Sequence, residues 1–164
     1  MNDNTSNNVV EPLFRCAIYI RGASNLQGSG SLDYQDRICR EAIASQGMVV
    51  EEPFVRGDVR TSGTPLRVRE ELNSLIAAAN NHPRPFDYIV MADTDRLGRN
   101  FRDIFEVYQT LKQLGVNLYF VSQQLDTRVN NHFEITMAVC NMFEEAELDC
   151  HRKASVAGRD KKKK

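Results

Sequence analysis

The sequence lacks tryptophan, holds only three histidines and four cysteines, and has no apolar run near the ~20 residues a membrane span requires. Cys16, Cys39, Cys140 and Cys150 are scattered without CxxC spacing, which predicts free, buried thiols in a reducing compartment rather than a disulfide framework. His82, His132 and His151 fall in no ligand pattern, so no metal site and no cofactor is expected. The opening "MNDNTSNNVVEP" has neither a basic start nor an apolar stretch, so it reads as a disordered lead-in over residues 1–13 and not a signal peptide. A cytoplasmic location is the expectation.

Lysine is also scarce over most of the chain. Of the 14 basic residues before position 151, 13 are arginine and only Lys112 is lysine. Arginine presents a planar fork of donors that matches phosphate oxygens, a preference that surface solubility alone does not demand. Residues 151–164 carry seven basic residues against one acid, Asp160, whereas the rest holds 14 against 21 acids. A mildly acidic body therefore precedes a basic tail, and Arg152, Lys153 and Arg159 are candidate DNA contacts.

What is present, in 164 residues with 41% hydrophobic content, suffices for one compact domain. Apolar runs alternate with helical periodicity. "CAIYI" (16–20) predicts a first strand. A helix is expected from Ser31, capped by that serine, with Asp33 in its first turn and Gly47 at its end. "MVVEEPFV" (48–55) predicts a second strand, and "RGDVRTSGTP" (56–65) a mobile polar loop. Thr64-Pro65 is expected to open the next helix. "DYIVMAD" (87–93) predicts a third strand, "TDRLGRN" a tight turn permitted by Gly98, residues 101–114 a helix closed by Gly115, and "NLYFVS" (117–122) a fourth strand. These elements predict an α/β fold with a mostly parallel sheet of four or five strands flanked by helices.

From about residue 131 a long last helix is expected, with two apolar stripes. One is Ile135, Val139, Met142, Ala146 and Cys150; the other is Phe133, Met137, Cys140 and Phe143. An apolar face that wide either packs on the domain and on a second subunit or lies buried within its own domain. The expected organisation is a core over 14–130, the long helix over 131–160 and a basic tail over 161–164, with no DNA-recognition module visible.

In a parallel sheet, ligands bind beyond the carboxyl ends of the strands. Arg21 ends the first strand, and Arg96 and Arg99 follow the third, both expected to be exposed. Asp95 is placed to hold an arginine or to bond the turn. Arginines gathered without a phosphate-binding glycine loop, metal ligands or a catalytic histidine suit one task. They bind a phosphodiester and stabilise the charge that builds up during phosphoryl transfer to a nearby hydroxyl.

Several motifs occur in order: "YIR" at 19–21, "SLDYQ" at 31–35, "TSG" at 61–63, "RxxL" at Arg69 to Leu72, "DRLGRN" at 95–100, and "EEAE" in the last helix. With them the chain resembles the catalytic domain of the serine recombinases, the resolvases, invertases and large serine integrases. The resemblance implies a resolvase-like fold with a long dimerisation helix. It also implies cleavage and rejoining of double-stranded DNA through a 5′-phosphoserine intermediate, homodimers that pair into tetramers at synapsis, and no metal or ATP. It places Arg21, Arg69, Arg96 and Arg99 as active-site arginines, Asp95 as the acid beside them and Gln35 as the helix glutamine near the site. Asp58 is the match to an acid in the mobile loop.

The family pattern R-x-S puts the nucleophile two residues after the arginine. Here that position is Ala23, and serine follows at Ser24. In an extended strand, neighbouring side chains point to opposite faces, so the hydroxyl is displaced unless the chain shifts register at Gly22. Three explanations stand: a deliberate replacement, a naturally silent protein that keeps the scaffold for dimerisation or regulation, or takeover by Ser24. Leu148 and Ala154 also stand where the family usually carries arginine.

Overall fold

A computed structural model of the chain describes residues 14–23, 31–60, 69–98, 101–130 and 132–135. Among these residues, five strands and four helices follow one another as β1 (Arg15–Ala23), α1 (Leu32–Ser45), β2 (Val49–Arg60), α2 (Glu70–Ala79), β3 (Tyr88–Met91), α3 (Thr94–Leu97), α4 (Phe101–Gln113), β4 (Asn117–Phe120) and β5 (Leu125–Asp126). They form one sheet in the order β2-β1-β3-β4-β5. The first four strands run parallel and β5 returns antiparallel beside β4. The fold is thus α/β with a mostly parallel sheet, as the alternation of elements predicts.

The twofold alternation of β1 divides the core. Cys16 and Ile18 face α1, where they join Cys39, Ile43, Met48, Tyr88 and Val90. Ala17 and Tyr19 face α2 and α4, joining Leu72, Leu75, Ile89, Met91, Leu97, Leu111 and Phe120. The sequence reads as a continuous apolar run because both faces of the strand are covered. Burial raises the thiols of Cys16 and Cys39 to about 12, with nearby Asp87 and Asp36 adding to it respectively, which keeps both protonated and unreactive at neutral pH.

The ends of α1 match expectation. Ser31 accepts the amide of Tyr34, Asp33 lies in the first turn, and Gly47 follows at φ +68°. Elsewhere the structure corrects the sequence. Residues 56–60, expected in a loop, continue β2 and pair with Tyr19 to Ala23 of β1. Gly57 reads as a turn signal, yet it serves close approach: a Cβ there would lie 2.8 Å from Cγ1 of Ile20. The irregularity in β2 lies earlier, around Pro53, on a sheet edge where a missing amide is tolerated. Helix α2 begins at Glu70, after Arg69 at the non-helical angles φ −119° and ψ 63°, while the expected helix start at Thr64-Pro65 lies outside the described residues.

"TDRLGRN" is not a simple turn. Thr94–Leu97 is a short helix, with Asp93 accepting the amide of Asp95. Gly98 is extended, at φ −170° and ψ 166°, so it is no tight-turn glycine. It is needed because α4 presses on it, with Ile104 Cγ1 2.8 Å and Asp103 Cβ 3.1 Å from any added Cβ. β5 was not signalled by the sequence; it is two residues long, too short for a periodic pattern.

At the start of the expected last helix, Asn130 accepts the amide of His132 through its side chain and that of Phe133 through its carbonyl. Residues 133–135 are helical; the rest of that expected helix and the basic tail lie outside the described residues. Phe133 is buried against Tyr108 and Phe120, at ring-centroid distances of 4.6 and 6.2 Å. Glu134 binds Lys112 at 2.8 Å on α4, whereas Ile135 is 61% exposed.

Candidate active site

The ends of β1 and β3 bring two distant segments side by side. Nη1 of Arg96 donates to the carbonyl of Arg21 at 2.8 Å, and Nη1 of Arg21 donates back to the carbonyl of Arg96 at 3.4 Å. Each guanidinium therefore holds the other residue's backbone. Arg96 is further gripped by Asp95, with Nε to Oδ1 at 2.7 Å and Nη2 to Oδ2 at 2.8 Å. This is the bidentate fork that arginine and carboxylate geometries favour. It realises the first of the two roles considered for Asp95, while Asp93 bonds the turn. The Arg96 side chain is only 21% exposed, so the expectation of an exposed residue is corrected: its bonds to Arg21 and Asp95 draw it against the protein.

Gln35 comes from α1 and is completely buried. Its Oε1 accepts the Arg21 amide at 3.1 Å and its Nε2 donates to the Arg21 carbonyl at 3.0 Å. The glutamine thus clamps the backbone of Arg21 from the α1 side, while Arg96 shares the same carbonyl. A buried amide side chain is tolerated here because both its ends are bonded.

Arg69 enters from the residue before α2. Its Nη1 donates to the carbonyl of Leu97, next along the chain from the Arg96 carbonyl that Arg21 binds, and its Nη2 lies 3.9 Å from Oδ2 of Asp103. Two guanidiniums, those of Arg21 and Arg69, thereby meet the backbone of residues 96–97, and the third, that of Arg96, reaches back to the carbonyl of Arg21, beyond the carboxyl ends of β1 and β3.

Asp58 is not in a loop. On β2, its Oδ2 accepts the Tyr19 hydroxyl at 2.8 Å and the Leu72 amide at 3.4 Å, and its Oδ1 accepts the Glu71 amide at 3.1 Å. It caps α2, whose own N-cap residue Arg69 makes no side-chain cap. Tyr19 is fully buried, and its phenol is pushed upward by burial, then by its hydrogen bond to charged Asp58, so it stays a donor. Sequence reading missed Tyr19, which looked like core. The available signal was its place two residues before Arg21, on the same strand face.

Ala23 is the last residue of β1, its backbone paired with Arg60 in unbroken register after Ile18. Among the described residues, glycines with positive φ are Gly47 and Gly115, so Gly22 makes no left-handed kink that would shift the register. Ser24, Arg99, Arg152, Lys153 and Arg159 lie outside the described residues. Among the described residues, no three His, Cys, Asp or Glu side chains gather as a metal-binding set.

A family model described as the resolvase N-terminal domain matches residues 16–164. The transposon Tn21 resolvase of Escherichia coli is 30% identical over 117 residues, covering 68% of this chain and 59% of that protein. The chain thus spans about three-fifths of the length of the curated relative it matches. Among solved structures, the N-terminal catalytic domain of TP901-1 integrase superposes with a TM-score of 0.62 at 20% identity, over 83% of this chain and 98% of that one. A resolvase family site-specific recombinase from Streptococcus pneumoniae gives a TM-score of 0.66 at 19% identity, over 90% and 97%. At such identities the superpositions speak for the fold; the family model speaks for descent, and by it this chain belongs to the resolvase family of serine recombinases, through the family's N-terminal catalytic domain.

Proposed function

We propose that this chain is the DNA-cutting core of a site-specific recombinase, in which Arg21, Arg69, Arg96 and Arg99 bind the scissile phosphate and stabilise the charge of its transfer to a serine hydroxyl. The observation that carries the reading is the meeting of three guanidiniums at one end of the sheet: Arg21 and Arg69 donate to the carbonyls of residues 96 and 97, and Arg96 donates to that of Arg21. A phosphoryl-transfer site needs cationic donors held in place before substrate arrives, so that little reorganisation accompanies the reaction. Gln35 and Asp95 serve that end by fixing Arg21 and Arg96. Residues 14–130 form the core, 131–160 a dimer helix leading toward DNA, and 161–164 a basic tail. Arg152, Lys153 and Arg159 contact the DNA backbone. Double-stranded DNA and further copies of the chain, first a dimer and then a tetramer at synapsis, are the partners. The location in this reading is the cytoplasm.

One observation favours a second reading. The position two after Arg21 is alanine, and β1 runs regularly to that residue. The chain as it stands is then a disarmed scaffold that grips phosphate and dimerises without cutting. Covalent trapping on a nicked pool of random-sequence duplexes separates the readings. An adduct lost on Ser24→Ala means Ser24 is the nucleophile. An adduct only after Ala23→Ser means an intact site lacking its hydroxyl. No adduct in either chain overturns the cutting reading and leaves the regulatory one.

A further inference from the structure

We propose that Asp103, on the first turn of α4, is the positioning residue for Arg69, aiming its guanidinium at the phosphate; this rests on the reading of Arg69 as a phosphate-binding residue. Arg69 must bridge a gap, since its backbone belongs to the start of α2 and its side chain ends beside α3 and α4. The side chain is only 14% exposed, so solvent screens its charge weakly. Among the described residues, two groups meet the guanidinium. The Leu97 carbonyl accepts from Nη1 and sets one end of the fork; Asp103 Oδ2, 3.9 Å from Nη2, sets the other.

That second distance matters. It is too long for a hydrogen bond but short enough for charge attraction. Asp103 therefore orients the fork without a directional lock, and an incoming phosphate oxygen can compete for the same N–H groups. Asp103 lies in the first turn of α4, at the helix end whose partial positive charge attracts acidic side chains. The first turn of α4 lies close against Gly98, where an added Cβ would be 3.1 Å from Cβ of Asp103 and 2.8 Å from Cγ1 of Ile104. That close approach puts Asp103 beside the 97–98 segment, and Arg69 spans the Leu97 carbonyl and the Asp103 carboxylate.

The test uses the full chain carrying Ala23→Ser and a nicked pool of random-sequence duplexes. Asp103→Asn is expected to lower the rate of adduct formation roughly tenfold or more, the size of loss a misaimed reacting group produces. Duplex affinity should not weaken, and Asp103→Glu should recover most of the rate. A rate within about twofold of the parent, or an Asp103→Glu variant as impaired as Asp103→Asn, overturns the proposal. If the Ala23→Ser parent itself forms no adduct, the cutting reading fails, and a second measurement decides the role of Asp103. That measurement is the nitrogen-15 order parameter of the Arg69 Nε–H group, assigned by its loss in Arg69→Lys. A fall in Asp103→Asn that is restored in Asp103→Glu supports the proposal; an unchanged value overturns it.

Discussion

Arg21 and Arg96, 75 residues apart, each donate to the other's backbone carbonyl, at 3.4 and 2.8 Å. The ends of β1 and β3 are therefore tied together by the same side chains that line the candidate site. Arg96→Ala removes the shorter of these bonds and the fork to Asp95. We expect a loss of about 1–2 kcal/mol in urea unfolding, since bonds to charged groups are worth more than neutral ones but this side chain is partly solvated. Arg96→Lys keeps the charge and loses the fork, so it should keep most of the stability yet fail to restore adduct formation in an Ala23→Ser chain.

Gln35→Leu replaces a clamp of two hydrogen bonds by an apolar side chain of similar size. The Arg21 carbonyl keeps Arg96, but the Arg21 amide loses the Gln35 oxygen. The expected cost is about 1–3 kcal/mol, the penalty for a buried donor left unmatched. A shift in denaturation midpoint with unchanged slope would confirm it; an unchanged midpoint would mean the clamp contributes nothing to stability.

Gly98→Ala and Gly47→Ala should both destabilise, by different mechanisms. At Gly98 the backbone is extended and any residue fits its angles, but the new methyl meets α4; about 1–3 kcal/mol of overpacking is expected. At Gly47 nothing lies within 4 Å, but φ is +68°, and an L-residue there costs about 1–2 kcal/mol of backbone strain. A compensating Ile104→Ala should relieve the first and leave the second untouched.

Acid should reveal the role of Asp87. Burial by itself raises this carboxyl, but the amide of Arg15 and the guanidinium of Arg84 outweigh it and hold it below the usual carboxylate value. A group depressed in the folded state contributes stability that is full above its unfolded value and is lost as pH falls through its folded one. In an Asp87→Asn comparison, the parent's advantage should therefore be present at neutral pH and vanish in the acid range below the ordinary carboxylate value. An advantage that persists unchanged into strong acid would show that the charge is irrelevant.

Phe133 and Ile135 separate the two stripes of the expected last helix, the first buried against Tyr108 and Phe120, the second 61% exposed. In the proposed dimer helix, the stripe that begins at Ile135 and is expected to include Val139 and Met142 is the one that would meet a second copy. A charge at Val139 or Met142 should convert a dimer to monomer in sedimentation without unfolding the core. Phe133→Ala should instead cost about 3–5 kcal/mol of core stability. An unchanged sedimentation profile counts against the intersubunit assignment.

Much of this was legible beforehand. The strand at 16–20, the Ser31 cap, the glycines at 47 and 115 and the pairing of Arg21 with the "DRLGR" segment follow from local patterns and strand-end geometry. What misled was composition. "RGDVR" carries glycine and charge like a loop, but its glycine allows close approach to Ile20 and its aspartate caps a helix that begins twelve residues after it. Such long-range uses leave no periodic trace. Asp103 likewise looks like any first-turn acid until Arg69 is seen to reach it.

Strand β1 sends alternate residues to opposite sides, the sulfur-lined packing beside α1 and the aromatic packing beneath α2 and α4. Deleting a single residue between Cys16 and Tyr19 would swap those two allegiances and turn Arg21 away from Arg96 in the same stroke. The geometry that folds the chain is thus inseparable from the geometry that aims its arginines, and β1 should tolerate changes of size far better than changes of length.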